Sequence, residues 1–375
     1  MRRMNLIPVI AVMVGLTCTA AMAATEHVTV SGAGTQDCST WANACTLSVA
    51  LSGASSGDEL WAAAGTYAGP ISLIDGVKII GGFAGTETAA SQSDPDTNVT
   101  TLDGGGSGAV VTSTSNSSST VLRGFRITNG YDPSTLMDDT GGGGARLTDS
   151  NAMFVQCTFD GNSTSAWGGA VYMRGTGSPT FVNCRFSGNG AIDFGSGVVT
   201  PIAGGAVFVN DSSPSFTNCL FVNNTGMEGG AMASLSGPPT VTNCTFMNNT
   251  ATVGRGGGVF APATVKNSIF WGNTAVRGGD QAVDAAITHS DVQGGYTGTG
   301  NIDADPLFGQ SGTLQSTSPC KNAGFSPALP QDMADLDWDG NTIEKVPYDL
   351  FGSQRKVSFV VDMGVYEIPL GGGVQ

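Results

Sequence analysis

The sequence predicts an all-β solenoid, a parallel β-helix of stacked coils. Three observations predict it. One phrase returns five times, as Cys157-x-Phe159-x-x-Asn162, Cys184-x-Phe186-x-x-Asn189, Cys219-x-Phe221-x-x-Asn224, Cys244-x-Phe246-x-x-Asn249 and Ser268-x-Phe270-x-x-Asn273. A second phrase alternates with it: Gly168-Gly169-Ala170-Val171, Gly204-Gly205-Ala206-Val207, Gly229-Gly230-Ala231-Met232 and Gly257-Gly258-Val259. An apolar residue stands three before each Cys or Ser: Phe154, Phe181, Phe216, Val241 and Val265. The Phe positions advance by 27, 35, 25 and 24 residues, so the coils have a constant core and variable loops. A fixed recurring unit of this length is the signature of a stacked array.

Each coil follows from its residues. The segments are short and rich in Gly, Asn, Ser and Thr, which disfavours helix. Cys157 and Phe159 alternate with Thr158, a period of two, which is a strand signal. Phe154 and Cys157 are three apart and would lie on opposite faces of a straight strand. Both face inward only if the chain bends between them. Asn183, Asn218, Asn243 and Asn267 stand at that bend, with Gln156 in the first copy. Asn tolerates the left-handed conformation better than most residues with a Cβ. A coil therefore reads as strand, Asn corner, strand, Gly-Asn or Asn-Asn turn, then Gly-Gly and a third strand. Stacking gives three parallel sheets, with Cys on Cys, Phe on Phe and Asn on Asn. Stacked amides pair with one another, as buried amides must. Gly-Gly permits close backbone approach. An antiparallel sandwich would not require one residue type at one coil position five times.

The paired Phe-x-x-Asn and Gly-Gly-Ala-Val phrases resemble the repeats of the chlamydial polymorphic outer-membrane protein family over roughly residues 124–279. The resemblance implies a right-handed parallel β-helix of the pectin-lyase type. The stretch from Cys45 through Trp61, Tyr67 and Phe83 to Glu87 resembles the N-terminal caps of secreted β-helix proteins. The run from Asn301 through Asp305-Pro306, Ser318-Pro319-Cys320, Asp335 to Asn341 and Asp362 to Glu367 resembles the choice-of-anchor Q domain. The expected organisation is a signal peptide over 1–23, an N-terminal cap with the first coils over 24–105, coils over 106–300, and an irregular C-terminal cap over 301–375.

The ends carry their own signals. Arg2 and Arg3, the apolar stretch Leu6 to Leu16 and Ala21-Met22-Ala23 form a cleavable leader. An exported chain is expected, secreted or at the cell surface, with no transmembrane segment once the leader is removed. Residues 46–51 are spaced for a short amphipathic helix covering the open end of the solenoid. Export to an oxidising space leads to the expectation of a Cys38–Cys45 disulfide. The formal net charge is −15, which argues against nucleic acid and anionic membranes as partners.

Candidate chemistry is sparse. The Cys157, Cys184, Cys219 and Cys244 column does not converge on a point, and the chain has only His27 and His289, so the column reads as core rather than zinc, with export leaving disulfides between adjacent coils open. Asp335-x-Asp337-x-Asp339-Gly340 begins as calcium loops begin, but Val346 stands where a closing Glu belongs; the alternative is a solvated acidic turn. Calcium is therefore the one cofactor to expect. The five lysines, Lys78, Lys266, Lys321, Lys345 and Lys356, have no neighbouring Asp cluster suited to a lyase, and no catalytic residue is assigned. Insertions on two coils bring Tyr131, Asp138 and Asp139, then Asp193 and Phe194, toward one edge with Trp167 between them. Rings beside carboxylates suit a sugar; idle insertions are the plainer reading. The expected function is a monomeric, non-catalytic, adhesin-like protein that engages a polysaccharide or a cell-surface component. The alternative is a polysaccharide lyase or glycoside hydrolase.

Overall fold

The computed structural model describes residues 23–133, 140–191, 203–309, 312–355 and 360–369. The leader lies outside them, save Ala23. Within them the chain winds into coils whose strands pair in parallel with the coil above and below, in four sheets of ten, nine, eight and six strands. Sheet 1 includes Met153–Val155, Thr180–Val182, Ser215–Thr217 and Thr240–Thr242. Sheet 2 includes Thr158–Asp160, Arg185–Ser187, Leu220–Val222 and Thr245–Met247. Sheet 4 includes Val171–Arg174 and Val207–Asn210.

The sequence pattern leads to three sheets; the fourth is the short sheet 3, with two-residue strands such as Thr225–Gly226, Thr250–Ala251 and Thr274–Ala275. It lies between the Asn turn and Gly-Gly. Two residues are too few to display a period, so this strand reads as part of the turn. The glycine after it has no room for a side chain: a Cβ on Gly230 would come within 2.2 Å of the Gly257 carbonyl oxygen and 2.5 Å of the Thr250 nitrogen.

The inward columns are those read from the phrases. Phe159, Phe186, Phe221, Phe246 and Phe270 stack at 5.0, 4.6, 4.6 and 4.6 Å between ring centroids. Phe154, Phe181 and Phe216 form a second stack at 5.0 and 4.8 Å. These spacings match the distance between hydrogen-bonded strands, about 4.8 Å. The four column cysteines are buried and free, and Burial pushes the Cys157 and Cys219 thiols up. The column continues in oxygen: the Cys244 amide donates to Ser268 Oγ, and the Ser268 amide to Ser290 Oγ.

The corner residues Gln156, Asn183, Asn218, Asn243 and Asn267 are left-handed, with φ of 51, 53, 53, 54 and 53°. The second asparagine series forms an unbroken buried ladder. Asn162 donates to Asn189, Asn189 to Asn224, Asn224 to Asn249 and Asn249 to Asn273, at 3.2, 3.0, 2.9 and 2.9 Å. Each also donates to a main-chain carbonyl of the preceding coil, as Asn224 does to Phe186 at 2.9 Å.

The helix Leu47–Gly53 lays Leu47 and Ala50 over the first coil, in one apolar cluster with Val28 and Leu60. Cys38 and Cys45 are disulfide-bonded, with Cα atoms 4.8 Å apart.

Beyond the last coil, Ile302 pairs with Asp291. The chain after that does more than cover the end. It runs back along the flank as a strap over the Asn corners. The Gly364 amide donates to the Asn267 carbonyl, Asn243 Nδ2 to the Asp362 carbonyl, and Asn183 Nδ2 to the Asp349 carbonyl. Farther back, Trp338 reaches the cluster of Trp61, Ile80 and Phe83 in the first coils. Arg355 is fully buried in the strap, facing Glu367 at 3.5 Å and donating to the Gly364 carbonyl.

Candidate functional site

A cleft lies where the strap passes sheet 2. Its floor is the outward column Arg126, Thr158 and Arg185, on adjacent strands in register. One wall is the loop holding Pro95, Asp96 and Val99, and the other is the strap at Leu350. The hollow is about 260 Å³ and shares Asp96, Gln156, Asn183 and Leu350 with a second of about 250 Å³ beside strap residues 348–352.

The polar groups of the cleft are held in place. Arg126 pairs with Asp160, two positions along the neighbouring strand, and its side chain keeps 48 % of its exposure. Arg185 lies over the Phe351 ring, 4.7 Å from its centroid. Burial pushes the Arg185 guanidinium below its ordinary range, opposed by Asp96 and Asp349. Asp349 is itself committed to the strap: it accepts the Phe351, Ser353 and Glu367 amides. Asp96 is the one carboxylate lining the first hollow among the described residues. Gln156 Oε1 accepts from Arg123 Nε at 2.9 Å.

The edge read from the insertions is placed in part. Asp138, Asp139, Asp193 and Phe194 lie outside the described residues. Tyr131 and Trp167 do not occupy one coil position: Tyr131 is in register with Ser163, and Trp167 with Gly141. The Tyr131 hydroxyl is 3.1 Å from Ser165 Oγ. The Trp167 ring is stacked on Phe208, 5.5 Å away and tilted by 13°, beside Tyr172. One face of that ring is therefore already occupied by the protein.

Asp335, Asp337 and Asp339 stand together in the strap, each with a carboxylate oxygen within 4.8 Å of the others. Asp332 and Glu344, which the linear pattern does not single out, join Asp337 in a second such group. Val346, at the expected closing position, is buried against Met153, Val155 and Val182. Glu344 stands two residues before Val346.

The family model described as the right-handed beta helix region matches residues 88–291. The chain belongs to the right-handed β-helix family. The four parallel sheets of this β-helix protein agree with that membership. No curated protein matches its sequence. Among solved structures, the crystal structure of pectate lyase Pel9A aligns with 93 % of this chain and 97 % of its own, at 10 % identity and a TM-score of 0.37.

The cleft residues carry a signal in the repeat. Arg126, Thr158 and Arg185 each stand one before an inward residue, Ile127, Phe159 or Phe186, so the outward column is implied by the phrase. The walls carry none, because they come from distant parts of the chain.

Proposed function

We propose that this β-helix protein is an exported, non-catalytic binding protein that takes an acidic polysaccharide in the cleft over Arg126, Thr158 and Arg185. The observation that carries the reading is the arginine pair, two strands apart, on the floor of an open cleft in a strongly acidic chain. Strands about 4.8 Å apart set the two guanidinium-bearing positions roughly 10 Å apart, near the span of two sugar units. Guanidinium groups match carboxylates in a planar, two-bonded geometry. Thr158 and Gln156 supply groups for hydroxyls. The leader sequence and the Cys38–Cys45 disulfide support export to an oxidising space.

Glycoside hydrolysis uses a pair of carboxylates flanking the bond. Among the described residues Asp96 stands without such a partner, since Asp349 is engaged by three main-chain amides. A polysaccharide lyase is the second reading, and the desolvated Arg185 beside Asp96 favours it.

The test is a glycan array on the folded chain with acidic and neutral polysaccharides, together with ultraviolet detection of unsaturated product. Binding of uronate polymers without product supports the proposal. Unsaturated product supports the lyase. Binding confined to neutral glycans overturns the arginine-based reading.

A further inference from the structure

The acidic turn of the strap has properties that a solvated surface turn lacks. Asp332 is fully buried, yet its Oδ1 has no hydrogen-bond partner. Asp337 Oδ1 and Glu344 Oε1 are also buried without partners. These three residues are the same three whose carboxylate oxygens lie within 4.8 Å of one another. Buried polar atoms are normally paired, so unpaired oxygens on three carboxylates that gather in one place point to a ligand there. Their like charge makes that ligand a cation.

The surrounding bonds hold this arrangement. The other oxygen of Asp332 accepts the Leu336 amide at 2.7 Å, which leaves Oδ1 free. Asp335 Oδ1 accepts the Gly340 amide at 3.1 Å, and Asp339 Oδ1 the Asn341 amide at 2.6 Å. The loop is thus folded by Asp335 and Asp339, while Asp332, Asp337 and Glu344 present unused oxygens. Arg123 approaches from the coils but spends Nη1 on the Ala334 and Asp335 carbonyls, at 3.3 Å each.

We propose that Asp332, Asp337 and Glu344, with Asp335 and Asp339 beside them, bind a calcium ion that fastens the strap to the first coils. The donors are all oxygen, without His or Cys, which suits a hard cation. Calcium accepts six to eight oxygens in irregular arrangements, whereas magnesium demands a near-ideal octahedron and keeps its water. Five carboxylates drawn from one irregular loop fit the former. The consequence for the fold is local. Trp338 lies within the loop, over Arg123 at 3.9 Å and against Trp61, Ile80 and Phe83. Leu336 and Val346, on either side, pack on Met153, Val155 and Val182. An ion that closes the loop therefore fixes the part of the strap that grips sheet 1. This site stands whether or not the cleft binds a glycan.

The experiment uses the whole chain stripped with chelator. Terbium replaces calcium and is excited by a nearby indole, so its emission should rise on binding through Trp338 and be displaced by calcium. Calcium should raise the melting temperature in proportion to the logarithm of its concentration, and magnesium should not. Asp337→Asn and Glu344→Gln should each remove the calcium-dependent rise, and Trp338→Phe should remove the terbium emission. Absence of both the emission and the rise in wild-type protein at about 10 mM calcium, well above the usual range for extracellular sites, would overturn the proposal. So would a rise that persists in the Asp337→Asn/Glu344→Gln double variant. Should that variant not fold, the wild-type terbium titration decides.

Discussion

Asn218 donates its side-chain amide to Asn183 Oδ1 in the preceding coil, at 3.0 Å, and also to the Tyr348 carbonyl of the strap, at 2.8 Å. One side chain thus joins two coils and the strap. The same ladder is broken one coil on: Asn243 gives its amide to Asp362 at 3.0 Å, and Asn218 Oδ1 is left without a partner. Asn218 and Asn243 occupy equivalent corners, but no bond joins them, because the strap carbonyl takes the donor. Asn267 resumes the ladder by donating to Asn243 Oδ1 at 3.2 Å.

The inner ladder should matter more than the corner. Asn224→Leu removes the donor to Phe186 and Asn249 and the acceptor for the Asn189 amide, all buried. Each group left unpaired costs about 1–3 kcal/mol, so this variant should lose more stability than Asn243→Leu. Denaturant melts of the two variants give the comparison. Equal losses would mean the inner ladder is no stronger than the corner.

The Phe stack should behave as core. Phe221→Ala should cost about 3–5 kcal/mol, since Phe221 is fully buried between Phe186 and Phe246. A loss below about 1 kcal/mol, the scale of a surface change, would contradict the stacking.

Much of this core is legible in the sequence, and the physical reason is repetition. Cys157, Phe159, Asn162 and the Asn corners stand at fixed offsets, so period two and a recurring bend fix three of the four sheets. Sheet 3 escapes because Thr225–Gly226 is too short to show alternation. The strap escapes because its contacts join residues far apart with no repeat: Arg123 to Ala334, Asn183 to Asp349, Asn243 to Asp362. The cleft is half legible for the same reason, its floor lying in the repeat and its walls outside it. Trp167 is conspicuous in sequence as an aromatic in a loop, but its stacking on Phe208 depends on register, which a single loop does not reveal.

The column thiols should be inert. Cys157, Cys184, Cys219 and Cys244 are buried, and a thiol reagent needs the exposed thiolate. No labelling of these four is expected in the folded chain, and their full labelling is expected in denaturant. Rapid native labelling would contradict the inward column.

Glu367 should make stability depend on pH. Burial, with Asp362 adding and Arg355 opposing, holds its carboxyl up at about 8, against an ordinary 4.5. The folded state therefore keeps a proton that the unfolded state releases. The resulting stabilisation is fully present below about 4.5 and is lost as pH rises through about 8. Melting temperature should fall across this window, and the fall should be shallower in Glu367→Gln. Identical slopes in the two proteins would show that Glu367 does not titrate there.

The most direct test of the functional account is the affinity of the folded chain for a uronate polymer, measured at low salt beside Arg126→Ala and Arg277→Ala. Both variants remove one positive charge from an exposed position, but only Arg126 lies in the cleft. A charge-assisted hydrogen bond is worth about 1.5–3 kcal/mol, so Arg126→Ala should weaken binding by about tenfold or more while Arg277→Ala leaves it nearly unchanged. Equal affinities for wild type and Arg126→Ala, or equal losses in both variants, would contradict binding in the cleft.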